Sequence, residues 1–404
     1  MNLTKNSEFL ISFFIQNNCI NYTKLTNKTK QILRILYDDI KNAYYQKKMY
    51  SIQINKINNI INIPRPKSFN INSFPEKIKK QIDNESLTEL SYTLSVYNRN
   101  IVIKFIIENK VQDINLDIYN NYVDTIIMWL YILNKYSSPN CSKIITIYLY
   151  LTSLHKKLPN NKIDVINSNN VNTAFTTSCQ PNTEIVIYRT EEWFKVFLHE
   201  TFHSFGLDFS EMNTTECNKT ILDIFNVNSK VNLFEAYAEF WAEIINSLFC
   251  SFFIIKNKDN FNDFLSNAEF LINLERNFSF FQMVKTLNFM GLKYVDLYSN
   301  SYESKLLYKE QTSVLSYYII KLILIHNFQD FLKWCNIYNL NLIQFHKTPQ
   351  NQMQFCDFII HNYKKKALLN NISNTTIFLN KLNLKNKQHE YLLTSLRMSL
   401  CELG

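Results

Sequence analysis

The run Phe197-Leu198-His199-Glu200-Thr201-Phe202-His203 holds the residues best suited to chemistry. Side chains at i and i+4 of a helix lie one above the other on one face. His199 and His203 can therefore present two neutral imidazoles to a single zinc ion at about 2.0–2.1 Å. Glu200 stands beside them and can take a proton from an activated water. The competing account makes both histidines core residues. Each imidazole would then need its own buried polar partner. With only 7 histidines in the chain, metal-assisted hydrolysis is the simpler reading.

The element that must carry this motif is a buried helix. Thr190 reads as its N-cap, with Glu191 and Glu192 in the first turn. Trp193, Phe194, Phe197, Leu198, Phe202 and Phe205 make it apolar over most of its surface. Gly206, one of 3 glycines in 404 residues, fits a left-handed stop just past its end.

A hydrolytic zinc site usually has three protein ligands and an open position. Downstream of His203 the carboxylates are Asp208, Glu211, Glu216, Glu235, Glu239 and Glu243. Glu235, Glu239 and Glu243 fall at i, i+4 and i+8 on one face of an aromatic-rich helical segment. The first can bind the metal, and the second can orient a ligating imidazole through its other ring nitrogen. The same spacing also suits a capping box at Asn232 and Glu235 with a solvated acidic edge.

H-E-x-x-H followed by Glu235-Ala236-Tyr237-Ala238-Glu239 resembles the gluzincin group of zinc metallopeptidases. The resemblance covers about residues 140–250. It implies His199, His203 and Glu235 as ligands, Glu200 as general base and Glu239 behind a ligating histidine. It also implies Zn2+ as cofactor, a protein or peptide substrate, and a cleft between an α+β subdomain and a helical one. The step from His203 to Glu235 is longer than in thermolysin-like enzymes and nearer that of the bacterial collagenase type. In such enzymes an edge strand above the cleft pairs with the substrate backbone. Asn172-Thr173-Ala174-Phe175 occupies the matching place, which makes Asn172 and Ala174 the expected backbone partners. The oxyanion needs a further donor, and the resemblance points to Tyr317, Tyr318 or His326, with Tyr317 preferred. The metzincin pattern H-E-x-x-H-x-x-G-x-x-H matches through Gly206 and then meets Phe209, which cannot bind zinc. An aspzincin-like use of Asp208 as third ligand stays open.

The rest of the chain reads as an α+β fold in three regions. Residues 1–85 form a helical extension, interrupted by Ile63-Pro64-Arg65-Pro66. Residues 86–210 carry a small mixed sheet and the metal helix. Leu90–Tyr97 and Ile101–Ile107 form a hairpin, Val123–Tyr136 a helix, and Lys143–Leu151, Val171–Thr177 and Glu184–Tyr188 strands. Residues 211–404 form a helical subdomain, with helices over Leu233–Ile255, Phe261–Leu274, Leu306–His326, Phe328–Ile337, Gln354–Leu369 and Thr375–Leu400.

Composition bounds the partners. A hydrophobic share of 46% argues for a folded globule. The net charge of +9 comes from lysines spread along the chain, so a nucleic-acid groove is not expected. No apolar run reaches the length of a membrane span, and Phe9–Ile15 reads as an amphipathic or buried helix, not a signal peptide. Eight scattered cysteines without C-x-x-C read as reduced thiols of an intracellular protein. Cys179, close before the metal helix, could mask a zinc as a thiolate, although an ordinary buried thiol fits it as well. Heavy use of Asn, Ile, Lys and Tyr resembles the AT-rich composition of giant DNA viruses, whose proteins work in the host cytoplasm or the virion. Two functions follow: a zinc metallopeptidase, or a non-catalytic virion-associated structural or interaction protein that keeps a zinc site. An intact Glu200 favours the first, because a purely structural site needs no general base.

Overall fold

A computed structural model describes residues 2–17, 20–47, 50–58, 60–108, 114–299, 302–383 and 385–404; Cys19 and Lys48 lie outside them. The elements run α1 (Lys5–Gln16), α2 (Asn27–Gln46), β1 (Gln53–Asn58), α3 (Glu76–Glu85), β2 (Ser86–Val96), β3 (Arg99–Glu108), α4 (Leu116–Tyr136), β4 (Ile144–Thr152), α5 (Ser168–Val171), β5 (Ala174–Thr176), β6 (Asn182–Arg189) and α6 (Trp193–Ser204). Helices follow: α7 (Thr215–Ile224), α8 (Leu233–Ile254), α9 (Phe261–Phe289), α10 (Tyr302–Leu307), a π-helical turn (Leu315–Ile320) running into α11 (Lys321–His326), α12 (Phe328–Tyr338), α13 (Pro349–Asn362), α14 (Lys366–Leu379) and α15 (Lys387–Thr394).

The strands form one six-stranded mixed sheet in the order β1-β2-β3-β4-β6-β5. β1, β2 and β3 are antiparallel, β3, β4 and β6 are parallel, and β5 is an antiparallel edge. Residues two apart point to one face, and the sheet buries both. Ile101, Ile103, Phe105, Ile145, Ile147, Leu149, Ile185 and Ile187 join the main core. Ile106, Tyr148, Tyr150, Val186 and Tyr188 pack on Phe74, Ile78 and Ile82. The main core is continuous from Leu10 to Leu403.

Three expectations change. β1 is a strand inside the region read as helical. All six of its residues are exposed, so Gln-Ile-Asn-Lys-Ile-Asn carries no burial period to read. The helices read over Leu306–His326 and Gln354–Leu369 are each broken in two. The helix read over Thr375–Leu400 stops at Leu379, resumes only over Lys387–Thr394, and gives way to an extended buried tail, 395–404. In that tail the N–H groups of Met398 and Ser399 donate to the Glu192 carboxylate, and those of Leu400 and Cys401 to Glu275. Buried side-chain acceptors thus take the place of helical carbonyls.

The cysteines also differ. Cys141 pairs with Cys179 and Cys217 with Cys356, while Cys250, Cys335 and Cys401 are free and buried. Cys179 is therefore not available as a thiolate mask for a metal.

The metal helix ends as its glycine demands. Gly206 has φ +65°. Its N–H donates to the His203 carbonyl (3.0 Å), and that of Leu207 to the Phe202 carbonyl (2.8 Å), the paired bonds of a Schellman stop. A Cβ here would meet Cys141 Sγ, Cys179 Cβ and Lys347 Nζ at 3.3 Å. Gly206→Ala should cost about 1–2 kcal/mol from the left-handed backbone alone, read as a lower midpoint in denaturant melts. An unchanged midpoint would contradict this account of the turn.

Candidate metal centre

Every residue of α6 is buried. Trp129 in α4 donates its indole N–H to Thr201 Oγ1 (2.8 Å), and Ser142 Oγ donates to the Ser204 carbonyl (2.8 Å). The start of the helix differs from expectation. Its N-cap is Glu192, at φ 61°, and not Thr190. The Glu191 and Glu192 carboxylates make no capping hydrogen bond to it. The Glu191 carboxylate accepts the Lys156 N–H (2.8 Å), and Glu192 pairs with Lys156 Nζ (2.7 Å) and the tail.

α6 packs along α8, and their facing sides bring three donors together. His199 Nε2 lies 3.0 Å from Glu235 Oε2 and 3.1 Å from His203 Nε2, and His203 Nε2 lies 3.5 Å from Glu235 Oε2. Ligands at about 2.0–2.1 Å from a tetrahedral zinc stand about 3.3 Å from one another. His199, His203 and Glu235 can therefore hold a metal ion. Asn232 makes no side-chain cap to α8; its Nδ2 donates instead to Ser313 Oγ. The capping-box account of Glu235 fails on that geometry.

The other nitrogen of each ring faces a buried carboxylate. His199 Nδ1 is 3.0 Å from Glu239 Oε2, an ion-pair distance without the in-line geometry of a hydrogen bond. His203 Nδ1 bonds Asp208 Oδ2, and Asp208 Oδ1 accepts from the N–H (3.1 Å) and hydroxyl (2.8 Å) of Ser210. Asp208 is thus no third ligand. The turn at Gly206 swings it against Nδ1, away from the Nε2 atoms where a metal would sit. Such carboxylate–imidazole pairs fix the tautomer and raise ligand basicity.

Glu243 is the clearest correction to the acidic stripe. It has no exposed surface and pairs with Lys321 Nζ at 2.7 Å. Burial pushes its carboxyl up to about 8 despite the pull of Lys321. The stripe is buried along its length, and Glu243 serves the core, not a solvated edge.

Among the expected oxyanion donors, the structure brings Tyr317 to the centre. Its hydroxyl donates to Glu235 Oε2 (3.0 Å), from a π-helical turn of the kind often found at functional sites. Tyr318 donates to the Leu396 carbonyl, and His326 packs edge-on against Phe280. Glu200 lines the same cleft with His199, Tyr317, Thr173 and Ala174. Burial pushes the Glu200 carboxyl up, against the pull of His199 and His203.

Ala174 lies in the edge strand β5, as expected. Asn172 does not. It caps α5, its carbonyl accepts Arg189 Nε (2.9 Å), and its side chain accepts the Thr312 hydroxyl (2.7 Å). It is committed to the protein and cannot serve as a strand partner for substrate. Three cleft residues had no motif to betray them: Lys156, Lys195 and Met398.

The chain matches no family model, no curated protein and no solved structure, so the centre is read from its own geometry. In the metal-free chain burial alone would discharge the imidazoles. The Glu235 and Glu239 carboxylates outweigh that and hold His199 at about 9, and Asp208 and Glu235 raise His203. Below about pH 9 a metal must therefore displace protons. Loading at pH 7 should release protons, and affinity should rise with pH. Calorimetric titration in buffers of different ionisation enthalpy measures the release. Loading with no proton release would contradict the arrangement.

Proposed function

We propose that the chain is a zinc-dependent metallopeptidase. The observation that carries this reading is the convergence of His199 Nε2, His203 Nε2 and Glu235 Oε2, with Glu200 lining the same cleft. Two imidazoles and one carboxylate form a donor set typical of a catalytic zinc with an open position. Zinc, when bound, would lower the pKa of its water and polarise the scissile carbonyl.

The chain's own groups do the rest. Glu200 removes a proton from the attacking water and carries it towards the leaving amine. Burial raises the Glu200 carboxyl above the ordinary carboxylate range, which makes it a stronger base than a solvated glutamate. Tyr317 donates its hydroxyl to the developing oxyanion once the substrate takes up its hydrogen bond from Glu235. The β5 edge at Ala174 offers the backbone of an extended peptide a strand to pair with. The two disulfides support working life in an oxidising setting, such as a virion, over a reducing cytoplasm. No helix among the described residues is long and apolar enough to cross a membrane.

Three substitutions test the reading. Glu200→Gln should keep zinc bound and the fold intact while abolishing hydrolysis of a peptide mixture; turnover within tenfold of the parent would overturn the mechanism. Tyr317→Phe should lower kcat about 10²–10³-fold with zinc affinity little changed; a loss confined to zinc affinity would remove Tyr317 from the chemistry. Glu235→Ala should lose zinc, measured by metal analysis after dialysis, and full retention would refute its role as ligand.

A further inference from the structure

Lys195 lies on α6 one turn before His199, and its side chain is 2% exposed. A lysine so deeply buried is rare unless paired. Its partner is Glu239: Nζ stands 2.6 Å from Oε1, the oxygen that does not face His199. The other oxygen, Oε2, faces His199 Nδ1. The Met398 Sδ, 4.0 Å from Nζ, closes the far side. The series is therefore Lys195, Glu239, His199 and then the metal position, crossing from α6 to α8 and back, with Lys195 one turn before His199 and Glu239 one turn after Glu235.

We propose that Lys195 is a positioning residue for the metal centre: it holds one oxygen of Glu239 so that the other is aimed at His199 Nδ1, and thereby sets zinc affinity. This rests on the zinc reading above. A free carboxylate at the end of a glutamate side chain has several rotamers. Fixing one oxygen with an ammonium leaves the second in a single place, which orients the ligating ring. Methionine at this position would keep the length and apolar stem of lysine and remove only the charge and its donors.

The test uses the full chain as parent, Lys195→Met, Lys195→Arg, Glu239→Gln and the double variant Lys195→Met/Glu239→Gln. Zinc affinity is measured by competition with a chromophoric chelator, and ligand geometry by the visible spectrum of the cobalt(II)-loaded protein. The parent should bind one zinc. Lys195→Met should bind it about 10–100-fold more weakly, the range typical for loss of such partners, with an altered cobalt spectrum. Lys195→Arg should recover most of that loss. The double variant should bind no more weakly than Glu239→Gln, because Lys195 acts only through Glu239. Should Lys195→Met fail to fold with its glutamate unpaired, the double variant, which buries no lone charge, decides the matter against Glu239→Gln. Affinity of Lys195→Met within twofold of the parent, or losses that multiply in the double variant, would overturn the proposal. A parent that takes up no zinc would instead overturn the metal reading itself.

Discussion

The centre depends on one constraint: α6 and α8 face each other through largely buried ionisable side chains. Lys195, His199 and His203 lie on one helix, and Glu235, Glu239 and Glu243 on the other, with Lys321 closing the row. Buried charges are tolerated only when paired and hydrogen-bonded. The pairs that Lys195, His199 and His203 make with Glu235 and Glu239 therefore fix the register of the two helices, since a slip of one turn would leave a lone ammonium or carboxylate in the core. Breaking a buried pair by removing one partner typically costs about 3–5 kcal/mol. That cost makes the helix register, and with it the spacing of the three donors, hard to change.

The surroundings reinforce the same geometry from four sides. The sheet sends β6 directly into α6. The Gly206 stop turns the chain so that Asp208 meets His203. The tail, 395–404, lays its N–H groups on Glu192 and Glu275, beside the start of α6 and along α9. The Cys141–Cys179 bond ties the turn before β4 to the segment before β6, and the Cys179 N–H donates to the His203 carbonyl (3.1 Å) at the end of α6. A site held this way is preorganised.

What could be read from sequence was whatever is local. His199, Glu200 and His203 sit within two helical turns, and the left-handed stop needs only Gly206. The acidic face of α8 was legible as a face, but its burial was not, because Lys321 lies far along the chain from Glu243. Asp208 stayed open as a ligand for a related reason. Its distance from His203 in sequence suits a ligand, and only the Schellman turn decides which ring nitrogen it meets. Cysteine pairing cannot be deduced from spacing, and the tail kept a helical period while its N–H groups went elsewhere. The hairpin at β2–β3 and the parallel strands β4 and β6 were readable because their apolar residues recur with a period that burial enforces.

The most direct test is X-ray absorption at the zinc edge of the zinc-loaded full chain. The account predicts a first shell of two imidazole nitrogens and carboxylate and water oxygens, all at about 2.0–2.1 Å, with no sulfur. A zinc–sulfur distance of about 2.3 Å, or a shell closed by four protein ligands, would contradict the central claim that α6 and α8 build an open metal centre from His199, His203 and Glu235.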